Sequence, residues 1–166
     1  ELPTGQVGRL AVKGPTGCRY LADERQKTYV YDGWNLPGDA ARMDEDGYVW
    51  YEARTDDMIV SSGYNVGAPE VENALLKHPA VSECAVVGRQ HDQRGTIIKA
   101  YVVCADNVKS GSDLVVELQD HVKRTIAPYK YPREVEFVNE LPKTGTGKIQ
   151  RFRLREMAHK EGAHNG

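Results

Sequence analysis

The hydrophobic pattern changes near residue 55, and this change limits the folds that the chain can adopt. Residues 1–55 contain short strand and turn patterns but no helical pattern long enough to cover them. We therefore do not expect this part to fill a core by itself. From Asp56 onward, strand patterns alternate with helical ones. The alternation predicts a mixed α/β (α+β) domain over residues 56–166, in which helices flank a three-stranded sheet and a hairpin accompanies it.

The first part is expected to consist of strands and turns. Strand patterns occupy residues 9–13 and 29–34. Residues 39–54 predict a hairpin in which the turn Asp44-Glu45-Asp46-Gly47 joins two strands. These strands have no covering layer of their own in the sequence.

The second part supplies the strands and helices of the predicted domain. The strand patterns lie at 58–60, 81–87, 97–104 and 134–138. The helical patterns lie at 69–78, 112–126 and 151–160, the last of them a basic tail. Ser112 is expected to cap its helix, with Leu114, Leu118, Val122 and Ile126 facing the core. The apolar run at 58–60 is expected to be a buried strand.

Charge and composition argue against several classes of function. A formal net charge of −2 provides no basic surface for nucleic acid. No apolar run approaches a membrane span and no secretory signal is present, so a cytoplasmic protein is expected. The histidines lack a metal-ligand spacing, so no metal site is expected. Cys18 lies outside any C-x-x-C spacing, and Cys84 and Cys104 are expected to be buried, reduced thiols. His159 and His164 are expected to be solvated.

Two polar stretches carry the functional signal. In the first, Arg54 precedes two acids, an apolar run and the turn at 61–63, whose glycine permits a positive φ. In the second, two glycines and two threonines lead into Lys148. Such a loop can carry a cationic amine toward an anion. It is not a P-loop, because that motif requires a Ser or Thr after the lysine, and Ile149 stands there.

Two further motifs accompany these stretches, Trp34-Asn35-Leu36-Pro37-Gly38-Asp39 and Tyr129-Lys130-Tyr131-Pro132-Arg133. Together the four motifs resemble the carboxyl-terminal part of an acyl-CoA synthetase of the adenylate-forming superfamily. That superfamily includes acyl- and aryl-CoA ligases, nonribosomal adenylation domains and beetle luciferases. The Ser-Ser-Gly-Tyr-Asn sequence is most similar to 2-aminobenzoate-CoA and benzoate-CoA ligases, and next to medium-chain acyl-CoA synthetases.

The resemblance implies a two-step reaction. A carboxylic acid attacks the α-phosphate of ATP to give an acyl-adenylate and pyrophosphate, and coenzyme A then displaces AMP. Residues 1–55 would be the terminal β-rich segment of a large amino-terminal domain, and residues 56–166 the mobile carboxyl-terminal domain. The acid pocket and the main contacts to ATP and Mg²⁺ would belong to the amino-terminal domain, so the chain alone is expected to be inactive.

For the first step, the resemblance implies that Lys148 is the adenylation lysine and that Asp39 and Arg54 hold the ribose of AMP. A cation suits a step that brings anions together, and a carboxylate can accept two hydrogen bonds from a ribose diol. Pro37 stands where the family usually has threonine or serine, so a contact from that hydroxyl is not implied. The alternatives are a solvated loop lysine and an ordinary turn carboxylate.

For the second step, the resemblance implies that the carboxyl-terminal domain rotates about Asp56. The implied contacts to coenzyme A are Ser62, Gly63, Tyr64, Lys130 and Arg133. Gly63 would let the narrow pantetheine arm pass close to the backbone. A solvated basic rim remains an alternative for Lys130 and Arg133, and Asn65 replaces a family arginine whose phosphate contact is therefore not implied.

Three classes of function remain open. The first is a CoA ligase that acts on an aromatic acid or, alternatively, on a medium-chain fatty acid. The second is a peptide-synthetase adenylation domain, which the lack of a Gly-x-Asp-Ser carrier motif after Lys148 disfavours. The third is a non-catalytic interaction module, which the presence of Asp39, Arg54 and Lys148 together disfavours.

Overall fold

The computed structural model describes residues 2–14, 22 and 24–162. Cys18 and His164 lie outside these residues. The chain divides into two compact units, Glu1–Met58 and Ile59–Gly166. Their predicted assignment to the two domains of a larger enzyme stays a prediction.

Short strands dominate the described residues of the first unit. Its elements are β1 (Gly8–Arg9), α1 (Arg25–Tyr29), β2 (Val30–Tyr31), β3 (Trp34–Asn35), β4 (Asp39–Met43) and β5 (Val49–Arg54). Strands β1, β4 and β5 form an antiparallel sheet in that order, and β2 pairs with β3. The hairpin predicted at 39–54 is confirmed. The strand predicted at 9–13 is shorter than expected, because only an isolated bridge from Val12 to Asn35 follows β1.

The turn of the β4–β5 hairpin is closed by Asp44. Its carboxylate accepts the indole N–H of Trp50 at 2.6 Å and the backbone N–H of Tyr48 at 2.9 Å. These hydrogen bonds, that from Trp50 above all, hold the pKa of Asp44 below its ordinary value. The turn places Met43 opposite Val49, and a bulge between Ala40 and Ala41 then shifts the pairing by one residue, so that Asp39 lies opposite Arg54.

The second unit contains most of the helices and the longest strands. Its first strand, β6 (Met58–Ser61), begins at the last residue of the first unit. The elements that follow are β7 (Tyr64–Gly67), α2 (Ala68–Leu75), β8 (Val81–His91), β9 (Gly95–Cys104), α3 (Ser112–Thr125), β10 (Glu134–Phe137) and α4 (Arg151–Gly162). No helix within the described ranges is long and apolar enough to cross a bilayer.

Strand β6 belongs to the hairpin that accompanies the three-stranded sheet; the sequence analysis expected such a hairpin but did not locate its second strand. It pairs with β7 across a two-residue turn, Ser62-Gly63, in which both residues have positive φ, 51° and 83°. Side chains alternate along β6, so Ile59 is buried while Val60 is 58% exposed. The prediction of a wholly buried strand at 58–60 is therefore wrong.

A three-stranded sheet with helices on both faces organises this unit, as predicted. The strand order is β10-β9-β8, with β9 antiparallel to β8 and parallel to β10. One face packs against α2 and α3 through Val86, Ile98 and other residues of the larger core cluster. The opposite face packs against α4 through Val87 and Tyr101. The mixed α/β fold class is confirmed.

The helices largely follow their predicted faces but differ at their ends. In α3, Leu114, Leu118 and Val122 are buried as predicted, whereas Ile126 lies at the C-cap and is only partly buried against the same core. Ser112 is the first helical residue and not the cap, because Gly111 occupies the cap position without a side-chain hydrogen bond. Helix α2 ends at Leu75, and the predicted helix over 69–78 is therefore too long.

Helix α4 is more than the basic tail that its composition indicated. Leu154 and Ala158 are 1% and 0% exposed and pack on the sheet beside Tyr101. The hydroxyl of Tyr101 contacts the carbonyl oxygen of Leu154 at 3.4 Å. His159, on the outer side, is exposed as expected.

Lys99 is a charged residue inside this layer. It is 1% exposed, and its ammonium lies 2.7 Å from Glu136 and 4.7 Å from the centre of the Tyr101 ring. Burial of an ammonium without such partners would be strongly unfavourable. The ion pair therefore joins β9 to β10 while allowing the charge to stay inside.

Leu118→Ala is expected to lower the free energy of unfolding by about 2–5 kcal/mol, because it leaves a cavity in a fully buried position. Val116→Ala on the same helix is the control, since Val116 is 55% exposed, and it should change stability by about 0.5 kcal/mol or less. Urea unfolding of the purified chain measures both values. Equal effects would contradict the orientation of α3.

Candidate functional site

Asp39 and Arg54 form an ion pair at the end of the β4–β5 hairpin. Nη1 of Arg54 donates to Oδ1 of Asp39 at 2.9 Å and to the carbonyl oxygen of Pro37 at 2.8 Å. The Arg54 side chain is half exposed. Oδ2 of Asp39 accepts no hydrogen bond from any other described residue. One carboxylate oxygen and part of the guanidinium are therefore available to a ligand.

Gly38 allows this pair to form. Its φ is +85°, and a Cβ at this position would lie 2.7 Å from Nη2 of Arg54. Both the backbone conformation and the close approach favour glycine.

A pocket opens beside the pair. It is lined by Arg9, Leu10, Thr28, Tyr29, Leu36, Pro37, Gly38, Arg54 and Thr55. The hydroxyl of Thr55 is buried and has no hydrogen-bond partner within the described part of the chain. The pocket therefore combines the guanidinium of Arg54 with largely apolar walls, and the guanidinium can donate hydrogen bonds to a sugar.

Lys148 lies in a loop that closes on itself, defined here as the lysine loop (residues 142–150). The backbone N–H of Lys148 donates to Oγ1 of Thr144 at 3.1 Å, and its carbonyl oxygen accepts the N–H of Thr144 at 2.8 Å. Gly147 provides the positive φ, +83°, that this turn requires. The Lys148 side chain is exposed, and its ammonium pairs with no carboxylate among the described residues. The backbone is fixed while the charge is available to an anion.

Ion pairs tie both ends of the lysine loop to the rest of the second unit. Before the turn, the ammonium of Lys143 lies 2.7 Å from a carboxylate oxygen of Glu83 on β8. After the loop, the guanidinium of Arg151 lies 2.6 Å from the carboxylate of Glu72 on α2. The sequence analysis did not identify either pair, because the partners are 60 and 79 positions apart in the chain.

Ser62 and Gly63 form the tip of the β6–β7 hairpin, where both are exposed. A Cβ at Gly63 would meet no heavy atom within 4 Å. The space beside this turn is therefore open to a narrow ligand.

The next residue, Tyr64, connects this turn to the segment that carries Lys130, one of the residues predicted to contact coenzyme A. Its ring stacks on Tyr129 with the ring centroids 4.2 Å apart. Lys130 follows, and its ammonium lies 2.7 Å from each carboxylate oxygen of Glu70. Since the Lys130 side chain is only 18% exposed, its charge is largely neutralised inside the protein. The sequence analysis assigned no role to either Tyr129 or Glu70.

Arg133 has a different environment. It donates to the hydroxyl of Tyr131 at 2.8 Å and is exposed. It borders an open pocket whose lining also includes Arg89, His91 and Arg94 from the end of β8 and the turn after it. The sequence analysis missed these three residues because it ended the strand at Val87, before the basic positions.

Asp56 lies in a short 3-10 turn, Thr55–Asp57, between β5 and β6. Its side chain is 65% exposed, and Oδ1 lies 4.0 Å from Nε of Arg54. The residues on either side of this turn, Arg54 and Met58, are both extended. Few dihedrals thus separate the strand that carries Arg54 from the β6–β7 hairpin.

The cysteines of the described residues are not activated nucleophiles. Burial, reinforced by the nearby carboxylate of Glu72, raises the pKa of Cys84 to about 12. Burial also raises the pKa of Cys104. Both are free thiols, and Cys84 is buried as expected whereas Cys104 is only partly so. In both residues the raised pKa disfavours the thiolate at neutral pH.

Comparison with known proteins identifies relatives of this chain. Residues 70–148 match the family described as the AMP-binding enzyme C-terminal domain. An uncharacterized acyl-CoA ligase of Bacillus subtilis, YtcI, is 53% identical over 156 residues, which are 92% of this chain and 30% of the relative. The mitochondrial acyl-coenzyme A synthetase ACSM4 of Homo sapiens is 50% identical over 164 residues, which are 93% of this chain and 28% of the relative.

A solved structure extends the comparison to three dimensions. The anthranilate CoA ligase AuaEII, crystallised with anthranoyl-AMP, matches with a TM-score of 0.84 and 38% identity over 98% of this chain and 32% of that one. The chain thus spans about 30% of the length of the curated relatives and the solved structure that it matches.

Proposed function

Residues 70–148 of this chain belong to the family of AMP-binding enzyme C-terminal domains, and from that premise we propose that the chain is the carboxyl-terminal part of an AMP-forming acid:CoA ligase. Its relatives include acyl-CoA ligases. In this proposal, residues 1–55 end the large amino-terminal domain, and residues 56–166 form the carboxyl-terminal domain that moves relative to it. The amino-terminal domain is the partner of this chain and supplies the acid pocket.

The observation that carries the proposal is the ammonium of Lys148, which lies on a closed loop and pairs with no carboxylate in the described part of the chain. In the first step, an oxygen of the substrate carboxylate forms a bond to the α-phosphorus of ATP, and the bond to the pyrophosphate oxygen breaks. Negative charge accumulates between the attacking and bridging oxygens. A cation aimed at that position stabilises the transition state more than the separated reactants.

Asp39 and Arg54 are proposed to hold the ribose of ATP and AMP. Oδ2 of Asp39 is available to accept a hydrogen bond from one ribose hydroxyl, while Oδ1 remains on Arg54. Exposed N–H groups of Arg54 can donate to the other hydroxyl. The ion pair therefore presents an acceptor and donors side by side, which is what a vicinal diol requires.

The second step is proposed to use the exposed turn and the basic pocket. The coenzyme A thiolate attacks the acyl carbonyl carbon, and the bond to the AMP oxygen breaks. Ser62, Gly63 and Tyr64 would border the pantetheine arm. Arg133, with the neighbouring Arg94, suits the coenzyme A phosphates, whereas Arg89 in the same pocket is paired with Glu134 at 2.8 Å. Lys130 is less suited to them than the resemblance implies, because Glu70 already neutralises it.

Asp56 is proposed as the hinge between the two steps. Its position in a short turn between extended residues allows few backbone dihedrals to absorb a rotation. The movement would exchange Lys148 for the coenzyme A contacts at the reacting carbonyl.

The Mg²⁺ that accompanies ATP in this proposal does not fit this chain. No group of three or more His, Cys, Asp or Glu side chains suited to a metal ion occurs in the described ranges. We therefore assign its ligands to the amino-terminal domain and derive no step from it here.

The proposed acid is aromatic, of the benzoate or 2-aminobenzoate type, which the likeness to the anthranilate CoA ligase supports. A medium-chain fatty acid is the second candidate, since identity is higher, 50%, to an acyl-coenzyme A synthetase. The free thiols of Cys84 and Cys104 suit a reducing compartment, and we propose the cytoplasm, although the human relative is named as mitochondrial.

The full-length protein is expected to show a higher kcat/KM for 2-aminobenzoate or benzoate than for octanoate. Thioester formation measured with each acid at saturating ATP and coenzyme A distinguishes the candidates. A higher value for octanoate would replace the aromatic acid by the second candidate.

Lys148→Ala in the full-length protein is expected to lower acid-dependent ATP–pyrophosphate exchange by about 10²–10³-fold, the usual loss for one charge-stabilising group. Thioester formation from supplied acyl-adenylate should stay near the wild-type rate. Lys143→Ala is the matched control, because that lysine lies in the same loop but is already paired with Glu83. The assignment fails if Lys148→Ala affects both half-reactions equally or if Lys143→Ala has the same effect.

Gly38→Ala in the full-length protein is expected to weaken AMP binding by about tenfold, because its Cβ displaces the guanidinium of Arg54 and a charge-assisted hydrogen bond is lost. Gly47→Ala is the control, since Gly47 has the same φ of +85° but no heavy atom within 4 Å of an added Cβ. Calorimetric titration with AMP compares the two variants. Equal affinities would argue against the Asp39–Arg54 ribose contact.

A further inference from the structure

Glu72 is a buried carboxylate with a complete set of partners. Its side chain is 9% exposed. Oε1 accepts the backbone N–H of Val86 on β8 at 2.9 Å and Nε of Arg151 at 3.1 Å, while Oε2 accepts Nη2 of Arg151 at 2.6 Å. The two contacts to Arg151 form a bidentate fork, which fixes direction as well as distance. Glu72 thus joins α2, β8 and the first residue of α4.

Arg151 lies where the lysine loop ends, three positions after Lys148. Between them, Ile149 packs against the buried cluster that includes Val87, Tyr101 and Leu154, and it pairs with Lys143 in an isolated bridge. Gln150 donates its backbone N–H to the carbonyl oxygen of Pro142 at 2.8 Å. Each residue from Lys148 to Arg151 therefore has a contact that fixes its position. The bidentate ion pair of Arg151 with Glu72 is the charged contact among them.

The other end of the loop is held by a weaker contact. Lys143 and Glu83 are 39% and 41% exposed, and an ammonium has no fork geometry. Exposed pairs of this kind contribute little to stability. By contrast, removing one partner of a buried pair leaves an uncompensated charge and is strongly destabilising for the segment that carries it. The position of the loop therefore depends mainly on Glu72.

We propose that Glu72 is a positioning residue for the Lys148 ammonium and acts through Arg151 and the lysine loop. The inference rests on the proposed function, since the ammonium needs a defined position only if it meets a reacting oxygen. Because hydrogen bonds to Thr144 fix the backbone of Lys148, displacement of the loop moves the ammonium with it. A misplacement of about 1 Å can lower a rate by about 10²-fold.

The first test measures the loop without any substrate. Hydrogen–deuterium exchange of the full-length protein, followed by mass spectrometry, reports peptides over 142–150 and over the sheet strands β8 and β9. Glu72→Gln keeps the shape of the side chain but turns one fork oxygen into a donor. It should speed exchange in the loop peptide by about tenfold, as expected for a locally weakened segment. Glu83→Gln should leave all of these peptides near wild type.

The second test measures the two half-reactions. Glu72→Gln should lower kcat of acid-dependent ATP–pyrophosphate exchange by about 10–10²-fold. The KM for ATP and thioester formation from supplied acyl-adenylate should stay near their wild-type values. Glu83→Gln should change neither half-reaction. In a Lys148→Ala background, Glu72→Gln should cause no further loss, because its effect passes through the missing ammonium.

Arg151→Lys is the second variant, which keeps the test valid if Glu72→Gln does not fold. It keeps a positive charge beside Glu72 but removes the fork, and it should give the same pattern with a smaller loss. The proposal is overturned if loop exchange is unchanged in both variants, or if both half-reactions fall together. It is also overturned if Glu72→Gln lowers ATP–pyrophosphate exchange further in the Lys148→Ala background. A wild-type protein that forms no adenylate from any acid would instead overturn the proposed function, while the deuterium measurement would still decide the role of Glu72 in the loop.

Discussion

The antiparallel pairing of β8 and β9 is the constraint on which the second unit depends. It runs from Val81 opposite Cys104 to His91 opposite Gly95, and its alternating side chains create two apolar faces. One face receives α2 and α3, and the other receives α4. The same strand β8 provides the partner of Lys143, the N–H that binds Glu72 and the arginine that borders the basic pocket. The candidate site is therefore built on the most regular part of the fold.

Periodic features of this unit could be predicted from the sequence, because burial imposes a period that local residues must follow. The core face of α3 and the three strands of the sheet are examples. The short strand β7 was missed because Tyr64-Asn65-Val66-Gly67 is too brief to show a period. The predicted cap at Ser112 failed for another reason: Gly111, with its extended backbone, takes that position without any side-chain contact.

The charged residues show where sequence reasoning about the site stops. Lys130 and Lys148 are the same residue type, and both lie in recognisable sequence motifs. In the structure Lys130 is neutralised by Glu70, whereas the Lys148 ammonium is unpaired within the described residues. The partner that decides this difference is 60 positions away in the chain for Lys130. Residue type and spacing therefore indicate which groups carry charge, but long-range pairing decides which charges reach a ligand.

The stack of Tyr64 on Tyr129 has a consequence for the entropy of binding. It joins the β6–β7 hairpin to the 3-10 turn Pro128–Lys130, so the two segments are already ordered with respect to each other. A ligand that touches both would not have to immobilise them separately, and more of its contact energy would appear as affinity. The stacked rings of Tyr64 and Tyr129 thus preorganise two segments that are far apart in the sequence into one binding surface.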